Sequence, residues 1–235
     1  MKILALSKPG PVADEAGLIR SLFDFGIDRI HLRKPDLEFS DSGSGFRPGG
    51  AIDYLRELLR QLTPSERKRI VVHDYGELYE EFALGGMHVN RNMATLPLGY
   101  RGLRSRSCHS LEEVIRYKEE YDYLFLSPIF DSISKAGYRS AFSEEELRQA
   151  AHEGIIDHKV IALGGVTLDR IPWLRRLNFG GAALLGLWEN PVFLKQYPLM
   201  IGLYCIMAVF YDLFLALLNR RLKTRWDEKL KKLFR

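Results

Sequence analysis

The sequence predicts a (β/α)8 TIM barrel folded as a single domain. Short apolar runs alternate with longer amphipathic stretches, and the runs number eight once a weak one at residues 103–108 is counted. A length of 235 residues suits one α/β barrel better than two domains, and an apolar fraction of 46% with 27% charged residues is that of an ordinary globular chain. The predicted strands are residues 3–6, 29–32, 70–72, 86–89, 103–108, 123–126, 159–163 and 182–185. The fifth is the least apolar. It is placed by the helix start directly after it, where Ser110 precedes Glu112 and Glu113. Helices are predicted at residues 12–25, 52–61, 111–121, 143–151 and 168–177. Residues 91–101, with Pro97 and Gly99, leave room for little helix after the fourth strand. The stretch 40–50 is rich in Ser and Gly with Pro48, a composition that buries nothing and favours a loop.

The barrel is assigned to residues 1–190, and residues 191–235 to a C-terminal helix with a basic tail. Residues 197–218 are almost wholly apolar and long enough to cross a bilayer. Against a span, Asp212 would sit well inside it at a cost of about 2.5 to 3.5 kcal/mol, and the basic run from Arg220 would have to cross outward. A barrel also needs a helix over its first and last strands, and Pro191 suits a helix first turn. The segment therefore reads first as a helix packed on the barrel or on a partner, next as membrane-associated, and last as a span.

The net charge of +4 is mild and owes much to the tail after Asn219, so nucleic-acid binding is not indicated. Cys108 and Cys205 are too few for a disulfide framework. Residues 1–7 run straight into Lys8, Pro9 and Gly10, which leaves no signal-peptide core; the expected compartment is the cytoplasm.

Side chains alternate faces along a strand, and in this architecture the inward ones near the strand's C-terminal end meet substrate. Ile30 and Leu32 take the helix-facing parity, which sends His31 and Arg33 inward. Ile70 and Val72 put His73 inward with Asp74 one step into the loop, Met87 and Val89 put His88 and Asn90 inward, and His109 comes just past the fifth strand. Any one of these histidines reads more readily as barrel filling with a satisfied hydrogen bond, whereas four together favour chemistry. After the seventh strand, Gly164 and Gly165 leave amides that an anion can approach, and Gly186 comes after the eighth. After the sixth come Ser127, Ser132, Ser134 and Lys135, able to bind an anion.

The segments His31-Leu32-Arg33-Lys34, His73-Asp74, Gly86-Met87-His88, Ser107-Cys108-His109-Ser110, Ser127-Pro128-Ile129-Phe130 with Ser134-Lys135, and Ala162-Leu163-Gly164-Gly165-Val166 occur in a telling order. In that order and spacing the chain resembles the thiamine phosphate synthase and TenI-type thiazole tautomerase family across about residues 1–190. The resemblance implies a barrel, a thiazole phosphate ligand, a homo-oligomer and a place in thiamine biosynthesis. Arg33, Ser132, Ser134 and Lys135 resemble the family's pyrophosphate contacts, and Asp74 resembles one of two magnesium-binding aspartates. The second departs: Asn90, Arg91, Asn92 and Met93 stand where the family has a Gly-Gln pair and a carboxylate. His31 replaces a glutamine usual in synthases, and Pro35 a lysine. A lost carboxylate weakens a site for a hard cation.

The tautomerase reaction needs less: one group that gives and takes protons near neutral pH, and a phosphate anchor. His109 matches the TenI-type histidine, and His31 also fits the TenI pattern. The expected catalytic residues are therefore His109 and His31. Arg33, Lys34, His73, Asn90, Ser127, Ser132, Ser134, Lys135, Gly164, Gly165 and Gly186 are expected to hold substrate or phosphate. No cofactor is needed for this reaction, whereas a synthase would use Mg2+ at Asp74. The alternatives are that synthase, a metal-dependent hydrolase built on His31, His73, His88 and Asp74, and a non-catalytic thiazole phosphate binder.

Overall fold

A computed structural model of the protein describes residues 1–37, 50–90, 96–131 and 140–188. All of them fall in the first of two units into which the chain divides, Met1–Pro191. The apolar segment 197–218, the basic tail and residues Ser132, Ser134 and Lys135 lie outside the described residues.

Eight parallel strands close into a barrel in chain order. They are β1 (Lys2–Leu6), β2 (Arg29–Leu32), β3 (Ile70–His73), β4 (Gly86–Val89), β5 (Leu103–Cys108), β6 (Tyr123–Leu126), β7 (Val160–Ala162) and β8 (Gly181–Leu184). Closure runs through β1 and β8, with Ile3 opposite Ala182 and Ala5 opposite Leu184. The chain is thus a (β/α)8 barrel, as the alternation of apolar runs predicts, with each strand within a residue or two of its sequence-derived position.

The helices are α1 (Glu15–Asp24), α2 (Gly50–Arg60), α3 (Pro64–Arg67), α4 (Gly76–Phe82), α5 (Leu111–Tyr117), α6 (Glu144–His152) and α7 (Ile171–Arg176). Side-chain caps set the starts of four of them. Asp14 accepts from the Gly17 amide, Ser110 from that of Glu113, and Thr63 with Glu66 and Ser143 with Glu146 form reciprocal capping boxes. The last predicted helix divides into a 3-10 turn at Leu168–Arg170 and then α7, because Pro172 can begin a helix but cannot donate inside one. Between β4 and β5 no helix forms among the described residues.

Alternation places two populations of strand residues. Outward side chains such as Cys108, Leu124, Leu126, Val160, Ala162 and Ala182 join α5, α6 and α7 in one apolar cluster. The interior is divided by chemistry. Leu4, Leu6, Ile161 and Ala183 from β1, β7 and β8 meet Tyr123 and Phe125 of β6. On the opposite side, His31, His73, His88 and Ser105 of β2 to β5 are buried polar groups. Phe125 bridges the two halves, its ring centroid 4.7 Å from that of His31 and 5.2 Å from that of His88.

One buried ion pair ties the loop after β1 to the end of β2. The Lys34 ammonium lies 2.7 Å from Glu15 Oε1 and donates to the Gly10 carbonyl at 2.9 Å, while the Tyr54 hydroxyl donates to Glu15 Oε2 at 2.6 Å. The side chains of Lys34 and Glu15 are 0% and 1% exposed. Burial pulls the Lys34 ammonium below the usual lysine range against the opposing pull of Glu15, and pushes the Tyr54 hydroxyl up. Removing one partner of such a pair leaves an uncompensated charge in the core. Lys34→Met is expected to lower stability by about 3 to 5 kcal/mol in denaturant unfolding, and the double variant with Glu15→Gln to recover most of the loss.

Candidate active site at the barrel mouth

The C-terminal ends of the strands bring together most of the residues singled out from sequence. Arg33 is exposed just past β2, and its backbone is locked to the loop after β1. Its amide donates to Ser7 Oγ at 2.8 Å and the Ser7 hydroxyl donates back to the Arg33 carbonyl at 2.9 Å. After burial, the Arg33 guanidinium is among the charges that hold His73 and His88 below the ordinary histidine range. Lys34, expected beside it on the ligand, is instead turned into the core by parity and held by Glu15.

His109 lies just past β5 and is exposed. Its Nδ1 lies 3.0 Å from the Ser127 carbonyl oxygen and 3.4 Å from Ser127 Oγ. A carbonyl only accepts, so Nδ1 carries the proton and Nε2 carries the lone pair in the neutral ring. Its backbone is pinned as well, the His109 amide donating to Glu113 Oε2 at 2.6 Å. Ser127, buried at the end of β6, thereby serves as the support of His109.

The loop after β7 packs directly on the loop after β6. The Ile129 amide donates to the Leu163 carbonyl at 2.9 Å and the Phe130 amide to that of Gly164 at 3.1 Å. Gly164 and Gly165 have φ of +89° and +61°, and a Cβ would lie 2.8 Å from Pro128 Cα at the first and 2.3 Å from the Asp131 carbonyl oxygen at the second. The glycines are therefore required by the turn itself. Neither of their amides makes a hydrogen bond among the described residues, so both remain able to take an anion. Gly186 opens the 3-10 turn Gly186–Trp188 after β8.

Asp74, in the left-handed region at φ 70°, comes directly after β3, and Asn90 Nδ2 donates to its Oδ1 at 3.0 Å. Asn90 thus turns an N–H onto the Asp74 carboxylate. A magnesium site wants oxygen ligands and negative charge. One carboxylate, engaged by an amide donor, is a poor fit to that ion among the described residues.

Beneath the mouth lie three buried imidazoles. His31 Nδ1 is 2.9 Å from His73 Nε2, and His31 Nε2 is 2.6 Å from the Tyr123 hydroxyl. His88 Nδ1 is 2.9 Å from Ser105 Oγ and its Nε2 2.8 Å from Ser107 Oγ. The rings of His73 and His88 stack at 4.2 Å. His73 Nδ1 is buried without a hydrogen-bond partner among the described residues, and an unsatisfied polar atom of this kind costs about 1 to 3 kcal/mol. His31, expected to act on substrate, is instead 0% exposed with its nitrogens engaged by His73 and Tyr123, which places it beneath the mouth rather than at it. Burial, reinforced by neighbouring His88 and Arg29, holds His31 well below the ordinary histidine range; burial with His88, His31 and Arg33 does the same to His73. Burial, Arg33 and Arg106 push His88 down to about 3. All three are neutral at pH 7. Ser7, Ser105, Ser107 and Tyr123 escape the sequence reading, although inward parity on β5 and β6 carries the signal for the last three.

Comparison with known proteins agrees with this architecture. A family model described as thiamine monophosphate synthase matches residues 51–186. The thiamine-phosphate synthase of Photorhabdus laumondii is 27% identical over 184 residues, covering 74% of this chain and 79% of its own. The crystal structure of thiamine phosphate pyrophosphorylase from Bacteroides thetaiotaomicron superposes with a TM-score of 0.67 at 37% identity, over 81% of this chain and 85% of that one. The thiamine phosphate pyrophosphorylase of Pyrococcus furiosus, at 18% identity and TM-score 0.59 over 85% and 96% of the two chains, shares the fold.

The neutral histidines make stability depend on pH. Their folded pKa values lie below the unfolded value of about 6.5, so unfolding takes up protons once the pH drops below that value. Stability is expected to be full above pH of about 6.5 and to fall by up to about 1.4 kcal/mol per pH unit for each histidine as the pH drops toward the folded values. For His88 that window closes at about 3. Denaturant unfolding across this range should show the slope, and a flat profile would contradict the neutral cluster.

Proposed function

The chain belongs to the thiamine monophosphate synthase family, and from that membership we propose that it is a thiamine-biosynthesis enzyme that binds a thiazole phosphate at the barrel mouth and moves a proton on it, as a thiazole tautomerase. The observation that carries this reading is His109. Its ring is exposed at the mouth, its Nδ1 is fixed by the Ser127 carbonyl, and its Nε2 is left as the basic nitrogen of the neutral ring. Converting a carboxythiazole phosphate tautomer to the aromatic form requires removing a proton from a saturated ring carbon and supplying one to the carbon outside the ring that carries the exocyclic double bond. A single imidazole can take the first on Nε2 and return it, while the Nδ1–H bond to Ser127 stabilises the transient imidazolium.

The anchor for the phosphate is proposed at the Gly164 and Gly165 amides with Gly186 across the β7 and β8 ends, the position where such barrels hold phosphate. Arg33, just past β2, supplies the positive charge that orients a carboxylate or phosphate. His73, Asn90 and Ser127 line the polar side between them, Ser127 through His109. Lys34 takes no part in this scheme. Ser132, Ser134 and Lys135 remain proposed anion contacts from the loop after β6.

The second reading is thiamine phosphate synthesis, in which an aminopyrimidine pyrophosphate is joined to the thiazole phosphate. It is favoured by the names of the similar proteins, and it asks for Mg2+, which the single engaged carboxylate of Asp74 fits poorly. A paired assay on one sample separates the two. Isomerisation of the carboxythiazole phosphate without magnesium is the expected result, and magnesium-dependent release of pyrophosphate would replace the proposal by the second reading. Binding of thiazole phosphate with neither turnover would overturn both. Within the first reading, His109→Ala is expected to lower turnover by about 10²- to 10⁴-fold with ligand affinity retained; unchanged turnover would remove His109 from the mechanism.

A further inference from the structure

We propose that His31, His73 and His88 form a binding site, inside the barrel beneath the mouth, for one divalent ion of the late first transition row such as zinc. The three residues come from adjacent strands, all with inward parity, and each offers a ring nitrogen within 4.8 Å of the others. Nitrogens bound to one tetrahedral zinc lie about 3.3 Å apart, given bond lengths of about 2.0 to 2.1 Å. Each donor nitrogen therefore has about 1 Å or less to travel toward a common centre, and the His73 and His88 rings, stacked with their planes 21° apart, must also tilt for both lone pairs to meet there.

The independent sign of a missing ligand is His73. It is 4% exposed, yet its Nδ1 has no hydrogen-bond partner among the described residues. Of the six nitrogens in the three rings, this is the one that the barrel interior leaves unsatisfied. An ion held by that nitrogen would satisfy it, whereas one held by Nε2, the nitrogen that faces His31 Nδ1, would not. Tyr123 at His31 and one of the two serines, Ser105 or Ser107, at His88 would supply the supporting hydrogen bonds that orient metal-bound imidazoles, while the ion would displace the other serine from His88.

The donor set selects the ion. Three imidazoles without a carboxylate suit Zn2+, Ni2+ or Cu2+ and give nothing to Mg2+. The charges acting on the cluster are the cationic Arg29, Arg33 and Arg106, so the ion must gain its affinity from nitrogen coordination rather than from charge attraction. This site is distinct from any magnesium at Asp74, and it stands or falls independently of the tautomerase reading.

The test uses the full chain, freed of metal with a chelator, and reads metal content and melting temperature rather than activity. One Zn2+ per chain is expected by calorimetric titration, with a rise in melting temperature, and Co2+ should give the strong visible absorption of a low-coordinate nitrogen site. His31→Gln and His73→Asn should each weaken zinc by more than the about 100-fold that loss of a supporting hydrogen bond costs, and should abolish the thermal shift. Circular dichroism of the metal-free variants checks that they fold; should one fail to, the cobalt spectrum of the unaltered chain still decides. No zinc uptake by the unaltered chain, equal uptake by both folded variants, an octahedral cobalt spectrum, or an equal thermal shift with Mg2+ would each overturn the site.

Discussion

The interior of this barrel is filled on one side by aliphatic side chains and on the other by imidazoles, and the rest of the structure depends on those imidazoles staying uncharged. A charged ring in that position would meet other histidines and three arginines, with no carboxylate among the groups that act on it. Hydroxyls supply what the charge cannot. Tyr123, Ser105 and Ser107 occupy nitrogens of His31 and His88, and Phe125 seals the cluster from the apolar half. With the floor fixed in this way, the groups above it can be few and exposed: Arg33 on one rim, His109 on the other, and bare glycine amides across the mouth.

Two kinds of locking hold those groups in place. Arg33 is fixed through its backbone by the reciprocal pair with Ser7, which leaves its side chain free to track a ligand. His109 is fixed through its side chain, so its geometry and its tautomer are set together. Lys34 shows the difference one position makes. It neighbours Arg33 in sequence, yet the alternation of β2 carries it to the opposite face, where Glu15 and Tyr54 absorb its charge.

Much of the fold is legible in the sequence because it rests on local rules. Seven strands announce themselves as apolar runs, and β5 (LRSRSC), whose outward Arg104 and Arg106 spoil its pattern, is betrayed by the cap at Ser110. The helix α4 escapes sequence reading because Tyr75 gives no capping signal; α3 escapes it although Thr63 and Glu66 spell a capping box. For the site, parity tells which face each histidine takes but not how deep it lies. Depth is set by register between strands, where His31 pairs with Val71 while His73 pairs with His88 one layer higher. No pattern within a single strand contains that information, which is why His31 reads as a mouth residue. The engagement of Asp74 by Asn90 is likewise beyond reach, since it joins the ends of two strands 16 positions apart.

The seam between the loops after β6 and β7 has a consequence for anyone who reshapes this barrel. Gly164 and Gly165 lie against Pro128, Phe130 and Asp131 so closely that a side chain on either glycine would displace the neighbouring backbone. Neither loop can be exchanged alone for one from another barrel without recreating the matching surface of its neighbour. The two form one transplantable cassette, and in natural variation residues 128–131 should change in concert with residues 164–165.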